Sequence, residues 1–144
     1  MNDYQNELAM FTDYKTSQRL KELGLNEDSA DMYLRHVYGR WLPYLRAYHN
    51  HWKPKGCKDI VYSWSLAKLL SFLPASIFGK YSAYDLEIKR DAANAVWIVT
   101  YACTASNGKR LFMHTTYGIS LLEAVCDMFI YLIADEQINL NALC

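Results

Sequence analysis

AVWIVTYACTASNGKRLFMHTT, residues 95–116, is the stretch whose reading decides the fold. Its first part is β-branched and aromatic at successive positions, the composition of a strand covered on both sides. Asn107-Gly108 follows, a dipeptide whose residues both tolerate the positive φ of a type I′ turn, so RLFMHTT reads as the returning strand. Upstream, in YDLEIK, Tyr84, Leu86 and Ile88 alternate with Asp85, Glu87 and Lys89, the pattern of a half-buried strand. An antiparallel sheet from about 84–90, 95–104 and 109–116 is therefore expected. Pairing around Asn107-Gly108 sets Cys103 opposite Phe112 and Tyr101 opposite His114. A four-residue connection at Asp91–Asn94 sets Ile88 opposite Trp97, Leu86 opposite Val99 and Tyr84 opposite Tyr101. Side chains alternate, so these residues share an apolar face, with Asp85, Glu87, Lys89 and Thr100 on the other. His114 falls on the apolar face and is expected to be a hydrogen-bonded core histidine.

SLLEAVCDMFIYLIADE, residues 120–136, supplies the cover for that face. Ser120 and Glu123 form a capping box. Glu123, Asp127 and Tyr131 stand four apart in a narrow polar stripe, while apolar residues cover most of the remaining circumference. Phe129 is expected to be nearly fully buried. Charges interrupt the run too often for a membrane span. Cys126 lies on the apolar side, where a thiol packs as a small hydrophobe.

Toward the amino terminus, TSQRLKELGL reads as a short helix capped by Thr16 or Ser17 and ending near Leu23, with Gly24 beyond it. NEDSADMYLRHVYG reads as a second helix, capped by Asp28 or Ser29, with Gly39 past its end. Pro43 and HWKPKGCKD make residues 40–60 mostly loop. YSWSLAKLLSFLP is a helix capped by Ser65 and stopped by Pro74. The expected fold class is α+β, an α-β-β-β-α core over residues 61–138 with a helical and loop extension over 1–60. Residues 1–144 form one domain.

Fifteen basic residues balance fifteen acidic ones, and 52% of residues are apolar, a globular composition. Charge balance removes the usual compositional argument for a nucleic-acid or membrane partner. MNDYQNELAMF has no basic segment leading an apolar core, so no export signal is read there. Cys57, Cys103, Cys126 and Cys144 show no CxxC pair. They are expected to be reduced thiols in cytoplasm.

LGL at 23–25, SADMYL at 29–34, WSLAKLLSFLP at 64–74 and LLEAVCDMFIYLI at 121–133 resemble a family of small proteins encoded in phages, prophages and mobile elements of gut Bacteroidales. The resemblance covers residues 16–138 in outline, and this chain departs from it over 35–60. That family has no established activity, so the resemblance implies a genomic context and no catalytic residues. The element order also resembles HicB-type antitoxin domains, phage sandwich domains and double-stranded RNA-binding domains, a likeness of fold that does not fix function.

Residues 32–58 carry Arg35, Arg40, Arg46, Lys53, Lys55 and Lys58 and no acid, with Trp41, Tyr44, Tyr48 and Trp52 interleaved. Cations neutralise phosphates and aromatic faces stack on unpaired bases, so Arg35, Arg40, Trp41, Arg46, Trp52, Lys53, Lys55 and Lys58 are the candidate nucleic-acid contacts. The plainer reading is a solvated loop whose charge balances the acidic surplus elsewhere. His49, His51 and Cys57 form an H-x-H-x5-C array that needs a fourth ligand, His36 or His114, to hold zinc, so no metal site is assigned. No cofactor motif is present, and neither Cys126 nor the Glu123/Asp127 pair has the neighbours of a catalytic group. The sequence points first to a non-catalytic adaptor with a protein partner. A nucleic-acid binder working through 32–58 is the alternative.

Overall fold

The computed structural model describes residues 9–46 and 60–143. In chain order the elements are helix α1 (Tyr14–Glu22), strands β1 (Met32–Val37), β2 (Arg40–Leu45) and β3 (Ile60–Ser63), and helix α2 (Leu66–Phe72). Strands β4 (Ser76–Phe78), β5 (Ala83–Asp91), β6 (Val96–Thr104) and β7 (Arg110–Gly118) follow, and then helix α3 (Leu121–Ala134). The fold is α+β with two antiparallel sheets. The chain divides into two compact units. One is built on Leu69–Ile138, the other on Met10–Lys68 with the residues from Asn139 onward.

In the first unit the sheet order is β4-β5-β6-β7, so the three expected strands are present and a short fourth extends the sheet after Pro74. The register differs from expectation in two places. Ile88 faces Val99 and Leu86 faces Tyr101, a two-residue slip that leaves every side chain on its expected face. Its cause lies in the turn, which occupies residues 92–95 and in which the Asp91 carboxylate accepts from the Ala93 and Asn94 amides. These bonds and the Asn94 side-chain amide hold the Asp91 carboxyl below the usual range, the side-chain bond contributing most.

At the other hairpin only Gly108 has positive φ, +83°, while Asn107 folds its side chain onto the Lys109 amide. The connection is thus a three-residue loop, not a two-residue type I′ turn. That loop sets Cys103 opposite Leu111 instead of Phe112 and turns Phe112, opposite Ala102, to the other face, where it is exposed. The Met113 bulge in β7 then restores the register, so that Tyr101 faces His114 as expected.

Helix α3 lies on the apolar face of this sheet. Ser120 caps it through the Glu123 amide, and the Glu123 carboxylate accepts from the Ile119 amide, one residue before the expected donor. Phe129 and Tyr101 have no exposed surface, and Cys126 is buried. Phe72 stacks on Phe129 at 5.7 Å, and Thr116 donates to the Ala124 carbonyl at 2.7 Å. His114 is half-buried, and its ring lies flat on Tyr131 at 3.5 Å, so its neighbour is an aromatic face and not the hydrogen-bonding group expected. On the far face Thr100 is buried despite lying on the side read as polar. It bonds Thr115, and Arg110 reaches across from β7 to pair with Glu87 of β5.

The second unit overturns two expectations. Residues 32–37, read as helix, are strand β1, preceded only by a single 3-10 turn at Glu27–Ser29. Residues 40–45, read as mostly loop, are β2, and Ile60–Ser63, at the junction of that loop with the expected core, are β3; the two pair on either side of β1 in the order β2-β1-β3. Among the described residues, the extension expected to be helix and loop thus holds one helix, α1, and the strands β1 and β2. Pro43, taken as a breaker, is accommodated because β2 is an edge strand, where a missing N–H breaks no ladder on the outer side.

Helix α1 is capped by Asp13, whose carboxylate accepts from the Thr16 amide, and not by Thr16 or Ser17. Ser17 is instead buried in a hydroxyl cluster with Thr12 and Ser63. Ser65 caps α2 through the Lys68 amide, as expected, and donates its own hydroxyl to Asp31. Trp64, also buried, donates its indole N–H to Ser29.

Candidate functional site: the β1–β2 hairpin

Four of the candidate contact residues lie on the β1–β2 hairpin or at its end: Arg35, Arg40, Trp41 and Arg46. Trp52, Lys53, Lys55 and Lys58 fall outside the described residues, as do Tyr48, His49, His51 and Cys57. The hairpin turns through Tyr38 and Gly39, both at positive φ (+48° and +77°), with Val37 paired to Arg40. That is the two-residue geometry of a type I′ turn.

Strand alternation sorts the side chains, which the linear sequence could not. Tyr33, Arg35 and Val37 share a face with their partners Tyr44, Leu42 and Arg40. Tyr62, opposite Tyr33 on β3, lies on the same face. Trp41 and His36, paired with one another, lie on the opposite face. The arginines at 35 and 40 are thus brought together, and Trp41 is separated from them.

On the arginine face, Tyr33 is buried and stacks on Tyr44 at 5.4 Å. Burial raises the Tyr33 hydroxyl's pKa, Tyr44 adds to the rise and Arg35 opposes it. Arg46 is engaged internally. Its guanidinium donates to the Glu27 and Ala30 carbonyls at 2.9 and 3.2 Å, stands 3.6 Å from the Asp28 carboxylate, and lies over the Tyr62 ring. For this residue the plainer reading, internal neutralisation, describes what the side chain does. Arg40 differs, being exposed and, among the described residues, without a carboxylate partner. On the other face Trp41 is held between Tyr14 of α1, stacked at 4.7 Å, and His36 at 5.1 Å.

The residue that sequence reasoning missed is Tyr38. Its relative exposure is 101%, so its ring packs on nothing. An L residue at positive φ costs about 1–2 kcal/mol, and Asn or Gly usually stands at this place in a type I′ turn. The signal available was Tyr-Gly between the strand-forming Val37 and a residue free to pair with it.

Among the described residues no three His, Cys, Asp or Glu side chains gather as they would around a metal ion, and no helix is long and apolar enough to cross a membrane. His36 and His114, named as fourth ligands, each lie against a ring. Comparison with protein-family models, curated proteins and solved structures finds no match to this chain.

Proposed function

We propose that this is a non-catalytic binding protein, of phage or mobile-element origin and acting in cytoplasm, that engages its partner through the tip of the β1–β2 hairpin. The observation that carries this reading is Tyr38. A large ring fully in water contributes nothing to the core, and its backbone is held where glycine or asparagine would be less strained. Exposed aromatic surface of this kind is useful when something covers it. Arg40, two residues further on and exposed, offers a polar group near that turn.

Site-specific photocrosslinking tests the reading. A photoreactive phenylalanine analogue at position 38 should yield discrete adducts in the cells that carry the gene. The same analogue at Lys89, exposed on the four-stranded sheet, should not. Equal labelling at both positions, or none at 38, would remove the hairpin as the contact element. Digesting the position-38 adduct with nuclease or protease reports the partner's class.

A further inference from the structure

We infer that residues 139–143, the segment after α3, form a strap that seats on the end of α1. The strap can be released and replaced while the rest of the chain stays folded. Its seat is the turn that closes α1. There Gly24, at φ +100°, donates to the Lys21 carbonyl and Leu25 donates to the Leu20 carbonyl, the paired bonds of a Schellman end. The glycine leaves bare backbone where a side chain would otherwise stand. Leu140 uses that space, its δ-methyl lying 3.5 Å from where a Cβ on Gly24 would be.

The strap's own residues sort to suit this seat. Leu140–Ala142 is a single 3-10 turn, capped by the Asn139 side chain, which accepts from the Asn141 amide. Residues three apart in such a turn lie one above the other, so Leu140 and Leu143 share a side. Both are half-buried, while Asn139, Asn141 and Ala142 are exposed. The segment belongs to the unit built on Met10–Lys68 and not to the unit of the helix that precedes it.

Two features distinguish a strap from fixed core. Among the described residues, the hydrogen bonds of 139–143 are all internal: Asn141 to the Asn139 side chain, Ala142 to the Asn139 carbonyl, and Leu143 to the Leu140 carbonyl. Apolar contact therefore holds the segment down, and its release breaks no hydrogen bond to the unit. The chain also enters the strap through a strained turn. Glu136 closes α3 at φ +56°, where glycine is the usual residue, and donates to the Ile133 carbonyl while Gln137 donates to that of Leu132. A costly conformation held by two backbone bonds directs the chain at this point.

Amide hydrogen exchange of the full chain, read residue by residue, tests the inference. Leu140→Ser should speed exchange of the Gly24 and Leu25 amides about tenfold, as partial loss of one leucine's burial does. Exchange in β6 should stay as in the parent. Asn141→Ser, on the exposed side, should alter neither. The decisive arm is a synthetic peptide of residues 137–143 added to the Leu140→Ser chain. A segment on a short tether acts at an effective concentration of about millimolar, so the peptide is supplied in that range. It should restore slow exchange at Gly24 and Leu25, and the same peptide carrying Leu140→Ser should not. In the parent, whose seat is filled, the peptide should have no effect.

Unchanged exchange at Gly24 and Leu25 in the Leu140→Ser chain overturns the inference. An equal rise in β6 also overturns it, because the loss would then be one of general stability. So does a rise at Gly24 and Leu25 that the peptide fails to reverse, since the segment would then be fixed core.

Discussion

At Tyr101 burial and hydrogen bonding combine to make stability depend on pH. The ring is fully buried and its hydroxyl donates to the Pro74 carbonyl at 2.6 Å. Burial pushes its pKa well above the ordinary tyrosine value. Below about pH 10, the unfolded value, both states hold the proton and the contribution is complete. As pH rises further only the unfolded chain ionises, so stability falls until the folded value is reached. Denaturant midpoints measured on either side of pH 10 should therefore decline, and Tyr101→Phe should flatten the decline. Tyr33, shifted in the same direction, keeps part of it. At neutral pH the same substitution should cost about 1 kcal/mol, because the Pro74 carbonyl loses its donor. An alkaline slope as steep in the variant as in the parent would assign the effect elsewhere. Phe129 is a test of packing alone. Removing this fully buried ring should cost about 3–5 kcal/mol, and an unchanged thermal midpoint on Phe129→Ala would contradict its place between α3 and the sheet.

Among the elements, the passage from β7 into α3 leaves no room for a side chain at Gly118. A Cβ built on Gly118 would stand 2.6 Å from the Ala124 nitrogen and 2.7 Å from the Ser120 carbonyl oxygen, both backbone atoms that cannot swing aside. Gly118→Ala should therefore shift the start of the helix and cost about 1–3 kcal/mol, as overpacking does. Ser120→Ala, which removes only the cap, should cost about 1 kcal/mol. Finding Gly118→Ala as stable as the parent by denaturant melt would mean the helix start is looser than its geometry. Both long edges are also blunted against stray pairing. Met113 bulges from β7, and β2 carries Pro43.

For the molecule as a whole, the second unit depends on contacts between residues far apart in sequence. Thr12 and Ser63, 51 positions apart, bond side chain to side chain at 3.0 Å, and the Thr12 hydroxyl also accepts from the Trp64 amide at 3.1 Å. Thr12 and Trp64 have no exposed surface, so replacing that oxygen by a methyl group strands a buried N–H. Thr12→Val is nearly isosteric and should cost about 1–3 kcal/mol, with the loss visible in the fluorescence of the buried Trp64. No change in the denaturant midpoint would show that the cluster fills space without stabilising the unit.

The sequence by itself determined the first unit closely. Alternation in YDLEIK, the β-branched run at 96–101, Asn107-Gly108 and the capping box at Ser120 are local signals, each read within a few residues. Because side chains alternate with a period of two, even the misread turn at 92–95 moved no residue to the wrong face. The β1–β2 hairpin was decided only by tertiary structure. Gly39 at positive φ serves a helix terminus and a type I′ turn equally well, and Pro43 suits a loop and an edge strand alike. The choice fell to pairing with β3, more than twenty residues along the chain, which no local window contains. The candidate site divides in the same way. Its basic and aromatic composition was legible at once. Which side chains share a face, that Arg46 is already engaged and that Tyr38 stands alone in water depend on the ladder, because proximity along a chain does not determine direction in space.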